Sequence, residues 1–220
     1  KGSGFTASHG EDFMLANNAQ WIGFSMEIGP EGGLYVLDWH DADICGKEVI
    51  NKETGRVYRI LPEKSLAENF PNRYADLNTL SDIQLIDLQS SKSNWHSQRA
   101  RVILQKRAFQ NKFSKEGIQI LNDLFSKEKN EDIRLRFLWT KQITNQLPES
   151  ELIKLVNDDD PYIRAWAIQF LTEENSPSEA ALKKMTSLAQ KDNSPVVRLY
   201  LAAALQRMPL DKRWPLIEKL

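Results

Sequence analysis

The sequence predicts a mainly α protein: an α-α superhelix of paired helices, preceded by a small N-terminal antiparallel β-sheet. Three observations carry this. From Leu77 onward, apolar residues recur at helical spacing with no interruption by strand-like alternation. A helix-start phrase, Asp160-Pro161-Tyr162-Ile163-Arg164, is echoed by Ser194-Pro195-Val196-Val197-Arg198, with polar cap, proline, β-branched residue and arginine in the same order. The first 61 residues have another texture, with most of the ten glycines and with apolar blocks separated by turn dipeptides. The predicted organisation is a sheet over 1–61, a linker over 62–77 and helices over 78–220.

The elements follow in order. Trp21–Ile28 reads as a first strand, Gly29-Pro30-Glu31-Gly32-Gly33 as a tight turn, Leu34–Trp39 as the returning strand and Arg56–Leu61 as a third. A sheet this small has open edges and needs covering. Pro62 and Pro71 punctuate the linker. The helical periodicity then predicts helices over 78–90, 95–108, 114–127, 131–145, 149–157, 161–173, 178–190 and 195–208, with a ninth beginning near Asp211.

Composition narrows the function classes. With 220 residues, 41% hydrophobic and 27% charged, the chain can bury one good-sized core or two smaller ones. A formal net charge of −1 supplies no field to draw in nucleic acid or an anionic membrane, so neither is expected as a partner. One cysteine, Cys45, excludes an internal disulfide framework and a multi-cysteine metal site. No run of ~18 apolar residues is available to span a bilayer. The chain starts without methionine and stops inside a helix-like phrase, Trp214–Leu220, so an excised piece of a longer protein is expected.

Taking Arg99, Arg134, Arg164 and Arg198 as equivalent points gives separations of 35, 30 and 34 residues by subtraction, the length of two short helices with their turns. Each arginine is followed by apolar residues that mark a buried face. The pattern resembles a HEAT repeat array, in which the second helix of each pair often opens with a cap, a proline and a Val/Ile-Arg pair. Residues 160–164 and 194–198 match that opening closely; Asn94–Arg99 and Asn130–Arg134 lack the proline.

Two regions are candidates for chemistry. Asp38, His40, Asp41 and Asp43 cluster at the exit of the second strand, where carboxylates and an imidazole can bind a divalent cation or hold a base; the same residues also cap turns. On the helices, Tyr162, Trp166 and Tyr200, with Trp139, either fill the space between helices or stack a partner in a groove. Arg164 and Arg198 either grip a partner's carboxylates there or tie neighbouring repeats. Asp158-Asp159-Asp160 reads as capping rather than as a calcium patch. His-Glu-x-x-His, Gly-x-Ser-x-Gly, phosphate-loop and dinucleotide motifs are all missing from the sequence.

The front segment carries a second resemblance. Ile28–Asp41, with Gly29-Pro30-Glu31-Gly32-Gly33-Leu34-Tyr35-Val36-Leu37-Asp38-Trp39, followed by Gly55-Arg56-Val57-Tyr58-Arg59-Ile60, is similar to the closing propeller-blade strands of membrane-bound dehydrogenases of the Planctomycetes and Bacteroidetes type. These are related to sugar and sorbosone dehydrogenases. The resemblance implies a partial β-propeller blade followed by HEAT-like helices, in an exported or periplasmic bacterial oxidoreductase. It also implies pyrroloquinoline quinone with calcium, and haem c, elsewhere in the full-length protein; this stretch is expected to hold no cofactor. The sequence has no Cys-x-x-Cys-His and most of the propeller is missing, so no catalytic or cofactor-binding residue carries over. Three functions follow as expectations. The first is a non-catalytic helical scaffold between the propeller and a downstream domain, contacting other domains of the same polypeptide and, in its groove, a protein partner. The second is a metal- or cofactor-binding part of an oxidoreductase site at Asp38–Asp43. The third is a HEAT-repeat binding module unrelated to redox.

Overall fold

The computed structural model describes residues 4–41, 53–61 and 73–220. They form two compact units, one spanning Ser8–Ile103 and the other made chiefly of Leu104–Leu220.

The first unit holds a three-stranded antiparallel sheet in the order β1 (Gly23–Ile28), β2 (Leu34–Asp38) and β3 (Arg56–Ile60). The β1–β2 turn is built as its residues dictate. The Gly29 carbonyl accepts from Gly32 N–H at 3.0 Å, Gly29 N–H donates to the Gly33 carbonyl at 2.9 Å, and Gly32 lies at φ 79°. This is a type I turn closed by a glycine bulge, with Pro30 preset at its first central position. A Cβ on Gly29 would meet the Tyr35 ring at 2.5 Å, so glycine is required there too. Val36 is buried between Met26 and Tyr58, whereas Phe24, Met26, Ile28, Leu37, Trp39 and Val57 remain exposed.

After the strands, the helix expected over 78–90 is divided. A 3-10 turn over Leu77–Thr79, helix α1 (Asp82–Asp87) and a second 3-10 turn over Leu88–Ser90 replace it. The cause is local: Ser81 is extended and makes a capping box, donating its N–H to Gln84 Oε1 at 2.9 Å and accepting from Gln84 N–H at 3.3 Å, so the helix starts afresh. Helix α2 (Asn94–Phe109) follows.

In the second unit the helices are α3 (Lys115–Lys127), α4 (Glu131–Ile143), α5 (Glu149–Leu155), α6 (Pro161–Leu171), α7 (Glu179–Lys191), α8 (Pro195–Ala204) and α9 (Trp214–Ile217). Helices α3, α5 and α7 pack on α4, α6 and α8 respectively, while α4, α6 and α8 lie side by side: a two-layer solenoid. Phe125, Phe137, Leu138, Val156, Ile163, Ile168, Met185 and Leu201 fill the space between the layers. Side-chain caps start five of these helices, from Ser114, Asn130, Asp160, Ser178 and Ser194. Asn145 takes a left-handed φ of 58° beyond α4, and Gln146 N–H reaches back to the Lys141 carbonyl at 2.8 Å, closing the helix end. The predicted ninth helix is short, a 3-10 turn over Leu210–Lys212 followed by the four residues of α9.

Candidate functional site

The repeated arginines of the second unit do one job in series. Arg134, on α4, donates from both terminal nitrogens to the Asp158 carboxylate at 2.7 and 2.6 Å. Arg164, on α6, donates from Nε and one terminal nitrogen to the Asp192 carboxylate at 2.7 and 3.1 Å, and its other terminal nitrogen donates to the carbonyls of Asp158 and Asp159. Arg198, on α8, donates to the Ala189 and Leu220 carbonyls. Arg134 and Arg164 thus reach from one repeat's second helix into the loop between the two helices of the next repeat, while Arg198 joins α7 of its own repeat to the C-terminal residue. Paired two-point contacts of this kind fix geometry as well as charge.

The acceptor aspartates are themselves anchored. Asp158 accepts from Asp160 N–H at 3.0 Å and Asp192 from Ser194 N–H at 2.8 Å, each two residues before a helix cap. Burial pushes both carboxyls up, but the guanidinium partners and these backbone donors hold them below the ordinary carboxylate range. In the acidic run only Asp160 caps, accepting from Tyr162 N–H at 2.8 Å. Asp158 receives Arg134, and Asp159 offers its carbonyl to Arg164.

Arg99 belongs to another place in the pattern. Counting from the residues that open the second helices, Ser93, Asn130, Asp160 and Ser194, the fourth positions are Ser97, Arg134, Arg164 and Arg198. The sixth positions are Arg99, Arg136, Trp166 and Tyr200. The equivalence of Arg99 with the three tying arginines is therefore corrected by two residues, because α2 has no proline to mark its start. Arg99 is exposed and stands with its guanidinium 5.6 Å from the Trp95 ring centroid.

The same helices present a row of rings. Trp139 of α4 lies edge-on to Trp166 of α6 at 5.2 Å between centroids; Trp166 in turn meets Phe170 at 5.4 Å and Tyr200 of α8 at 6.2 Å. Spacings in this range suit tilted and edge-to-face aromatic contact. Trp166 and Tyr200 are half-buried, and Tyr162 is exposed one turn before Trp166. The row crosses three consecutive repeats with one edge toward solvent.

At the strand exit, Asp38 is occupied as a structural acceptor. Its Oδ1 accepts from Ile22 and His40 N–H, both at 3.0 Å; its Oδ2 accepts from Arg56 Nε at 2.8 Å and lies 2.6 Å from Arg56 Nη2 in the same ion pair. Burial pushes its carboxyl up, and these donors bring it below the usual value. His40 has φ 52°; its Nδ1 is 2.6 Å from Thr54 Oγ1 and its Nε2 3.2 Å from Asn18 Nδ2. Asp41 is buried, with Trp39 Nε1 at 3.4 Å from its Oδ2. Asp43 lies outside the described residues. Among the described residues no three His, Cys, Asp or Glu side chains come together as a metal-ligand group.

Sequence reasoning missed a parallel device at the other end of the hairpin. Glu31, read only as a turn residue, is buried and accepts from Tyr35 Oη at 2.6 Å and Arg59 Nε at 2.7 Å. Asp192 was also missed as the partner of Arg164. Its signal was present: an aspartate stands two residues before the cap at both Asp158 and Asp192.

Residues 118–206 match the family model of HEAT repeats. No curated protein matches the chain. The matched stretch runs from within α3 past the end of α8, the same helices that carry the arginine ties and the aromatic row; this part of the chain is a HEAT-like repeat region.

Proposed function

We propose that the chain is a non-catalytic helical scaffold whose second-helix face docks a protein partner, within a dehydrogenase-like protein of the kind its front segment resembles. The observation that carries the docking role is the half-exposed aromatic row of Trp139, Trp166 and Tyr200, flanked by exposed Tyr162 and held across three repeats by the Arg134 and Arg164 ties. Large rings that are already ordered lose little freedom on binding, so they favour interface use. Repeat solenoids display such rows on an extended surface. On this reading Arg164 and Arg198 serve the groove by holding the helices that display Tyr162, Trp166 and Tyr200.

The dehydrogenase context rests on the resemblance of Ile28–Asp41 and Gly55–Ile60. That resemblance implies a periplasmic or exported protein, with pyrroloquinoline quinone, calcium and haem c held by other parts of the polypeptide. The scaffold then links a propeller to a downstream electron-accepting or anchoring domain. Two measurements test the reading. A photo-crosslinking residue at Tyr162, in the native host, is expected to capture one discrete protein or domain that the same residue at Lys183 of α7 does not; equal capture at both positions contradicts a docking face. The coding sequence on either side is expected to specify further propeller strands and a Cys-x-x-Cys-His. Their absence would leave a HEAT-repeat interaction module without a redox role.

A further inference from the structure

The first unit carries a surface that the helical face does not account for. β1 is an edge strand, paired with β2 on one side and with no strand on the other among the described residues. The Gly29–Gly33 hydrogen bond fixes the phase of the ladder. Bonding alternates along an antiparallel pair, so Glu27 and Ser25 turn their backbone groups toward β2, and Met26 and Ile28 turn theirs outward. That outward edge borders a cleft of about 730 Å³ whose opposite wall is α2, with Asn94, Trp95, Arg99 and Val102. Met26, Ile28 and Val102 are 64%, 53% and 55% exposed.

We propose that this cleft binds an extended polypeptide segment, apolar at alternate positions and bearing one acidic side chain, as a fourth strand added to β1. The class of ligand follows from the backbone. A row of outward N–H and C=O groups is matched by another backbone in β conformation, and an open strand edge beside a helix is the arrangement that takes up peptides by strand addition. A strand laid ~4.8 Å from β1 brings every second side chain onto the face that carries Met26 and Ile28. Val102 and Trp95 close that face from the helix side. The acid is called for by Arg99, the cation of the cleft, which has no ion pair among the described residues and whose guanidinium is steadied over Trp95. Glu27 projects to the other face of β1, so it does not neutralise Arg99 across the strand.

The probe is a fluorescein-labelled nonapeptide alternating Val and Thr with one central Glu, titrated into the 220-residue chain and followed by polarisation and by hydrogen exchange. Saturable binding is expected, with exchange of the Met26 and Ile28 amides slowed about tenfold or more. Met26→Pro removes one outward donor but no bond to β2, because proline is tolerated where the N–H faces away from the ladder. It should weaken binding about tenfold without shifting the melting temperature. Val102→Trp, which fills the cleft from an exposed helix position, should do the same and stands in if Met26→Pro perturbs the sheet. Arg99→Glu should reverse the preference in favour of a peptide with central Lys. No binding of the Glu peptide, or binding indifferent to Met26→Pro and Val102→Trp, overturns the proposal. So does a peptide-independent dimer that these substitutions dissolve, since the edge would then belong to a second copy.

Discussion

The two units use the same chemical pair, arginine with carboxylate, in opposite ways. In the HEAT-like region Arg134–Asp158 and Arg164–Asp192 recur at a fixed place in each repeat and join one repeat to the next. In the sheet, Arg56–Asp38 and Arg59–Glu31 occur once each, at the two ends of the β1–β2 hairpin, and lock β3 across it. Apolar surface divides likewise. The solenoid buries Phe137, Leu138, Ile163 and Leu201 between its layers, whereas of the apolar strand side chains only Val36 is buried and Phe24, Met26, Ile28, Leu37 and Val57 stay exposed. A repeat completes its core from neighbours of the same kind; a three-stranded sheet has none.

The largest difference should appear on core truncation. Phe137→Ala, at a fully buried site between helix layers, is expected to cost about 3–5 kcal/mol. Val36→Ala in the sheet should cost about 1–2 kcal/mol, since fewer methylene-sized groups are lost. Denaturant unfolding with hydrogen exchange assigned to each unit checks both. Equal losses would erase the contrast.

Cutting the ion pairs comes next. Asp192 and Arg164 are 5% and 15% exposed, so Arg164→Ala leaves a buried carboxylate without its partner and should cost about 2–4 kcal/mol. Arg59 is 46% exposed and buried Glu31 keeps the Tyr35 hydroxyl as a donor, so Arg59→Ala should cost about 1 kcal/mol or less. A smaller effect is expected at the cap, where Asp160→Ala should cost about 1 kcal/mol through loss of the bond to Tyr162 N–H.

Acid should separate the units by pH rather than by size of effect. His96 is fully buried; its Nε2 lies 3.1 Å from the Arg73 carbonyl, which can only accept, so the neutral ring carries its proton there and Nδ1 accepts from Ser93 Oγ at 2.7 Å. Burial pushes the imidazole below its ordinary value, outweighing the Arg73 contact. The unfolded chain therefore takes up the proton first, and the Ser8–Ile103 unit should lose stability as pH falls below about 6.5. Asp158 and Asp192 are held low in the fold. Their contribution is fully present above about pH 4 and is lost only as pH falls through their folded values. Exchange measured from pH 7 to 3 should show amides around His96 opening first and those of α6 and α8 later.

The least costly substitution tests function. Tyr162 is 47% exposed, so Tyr162→Ala should change stability by less than about 0.5 kcal/mol while reducing capture of a docked partner.

Much of this architecture was legible in the sequence because the solenoid writes its rules locally. Cap, proline and arginine lie within five residues at 160–164 and 194–198, and the helices start there. Where the local signal weakens, the register is lost. α2 lacks the proline, so Arg99 stands two positions from the place of the tying arginines, and the Ser81 capping box divides what periodicity joins. The site was less legible because its geometry is non-local. Asp192, 28 residues beyond Arg164, shows itself only by its match to Asp158, and nothing near Glu31 points to Arg59. Trp139 and Trp166 meet only because α4 and α6 lie side by side. Asp38, conspicuous as part of an acidic cluster, has both oxygens filled by donors distant in sequence, Ile22 and Arg56.

The claim that arginine ties hold the repeats, and with them the aromatic row, is tested most directly by a double-mutant cycle on Arg164→Ala and Asp192→Ala, read by denaturant unfolding of the repeat region. A coupling energy of about 1.5–3 kcal/mol is predicted, with the double variant less destabilised than the sum of the singles. A coupling below about 0.5 kcal/mol, as for exposed surface pairs, would contradict it.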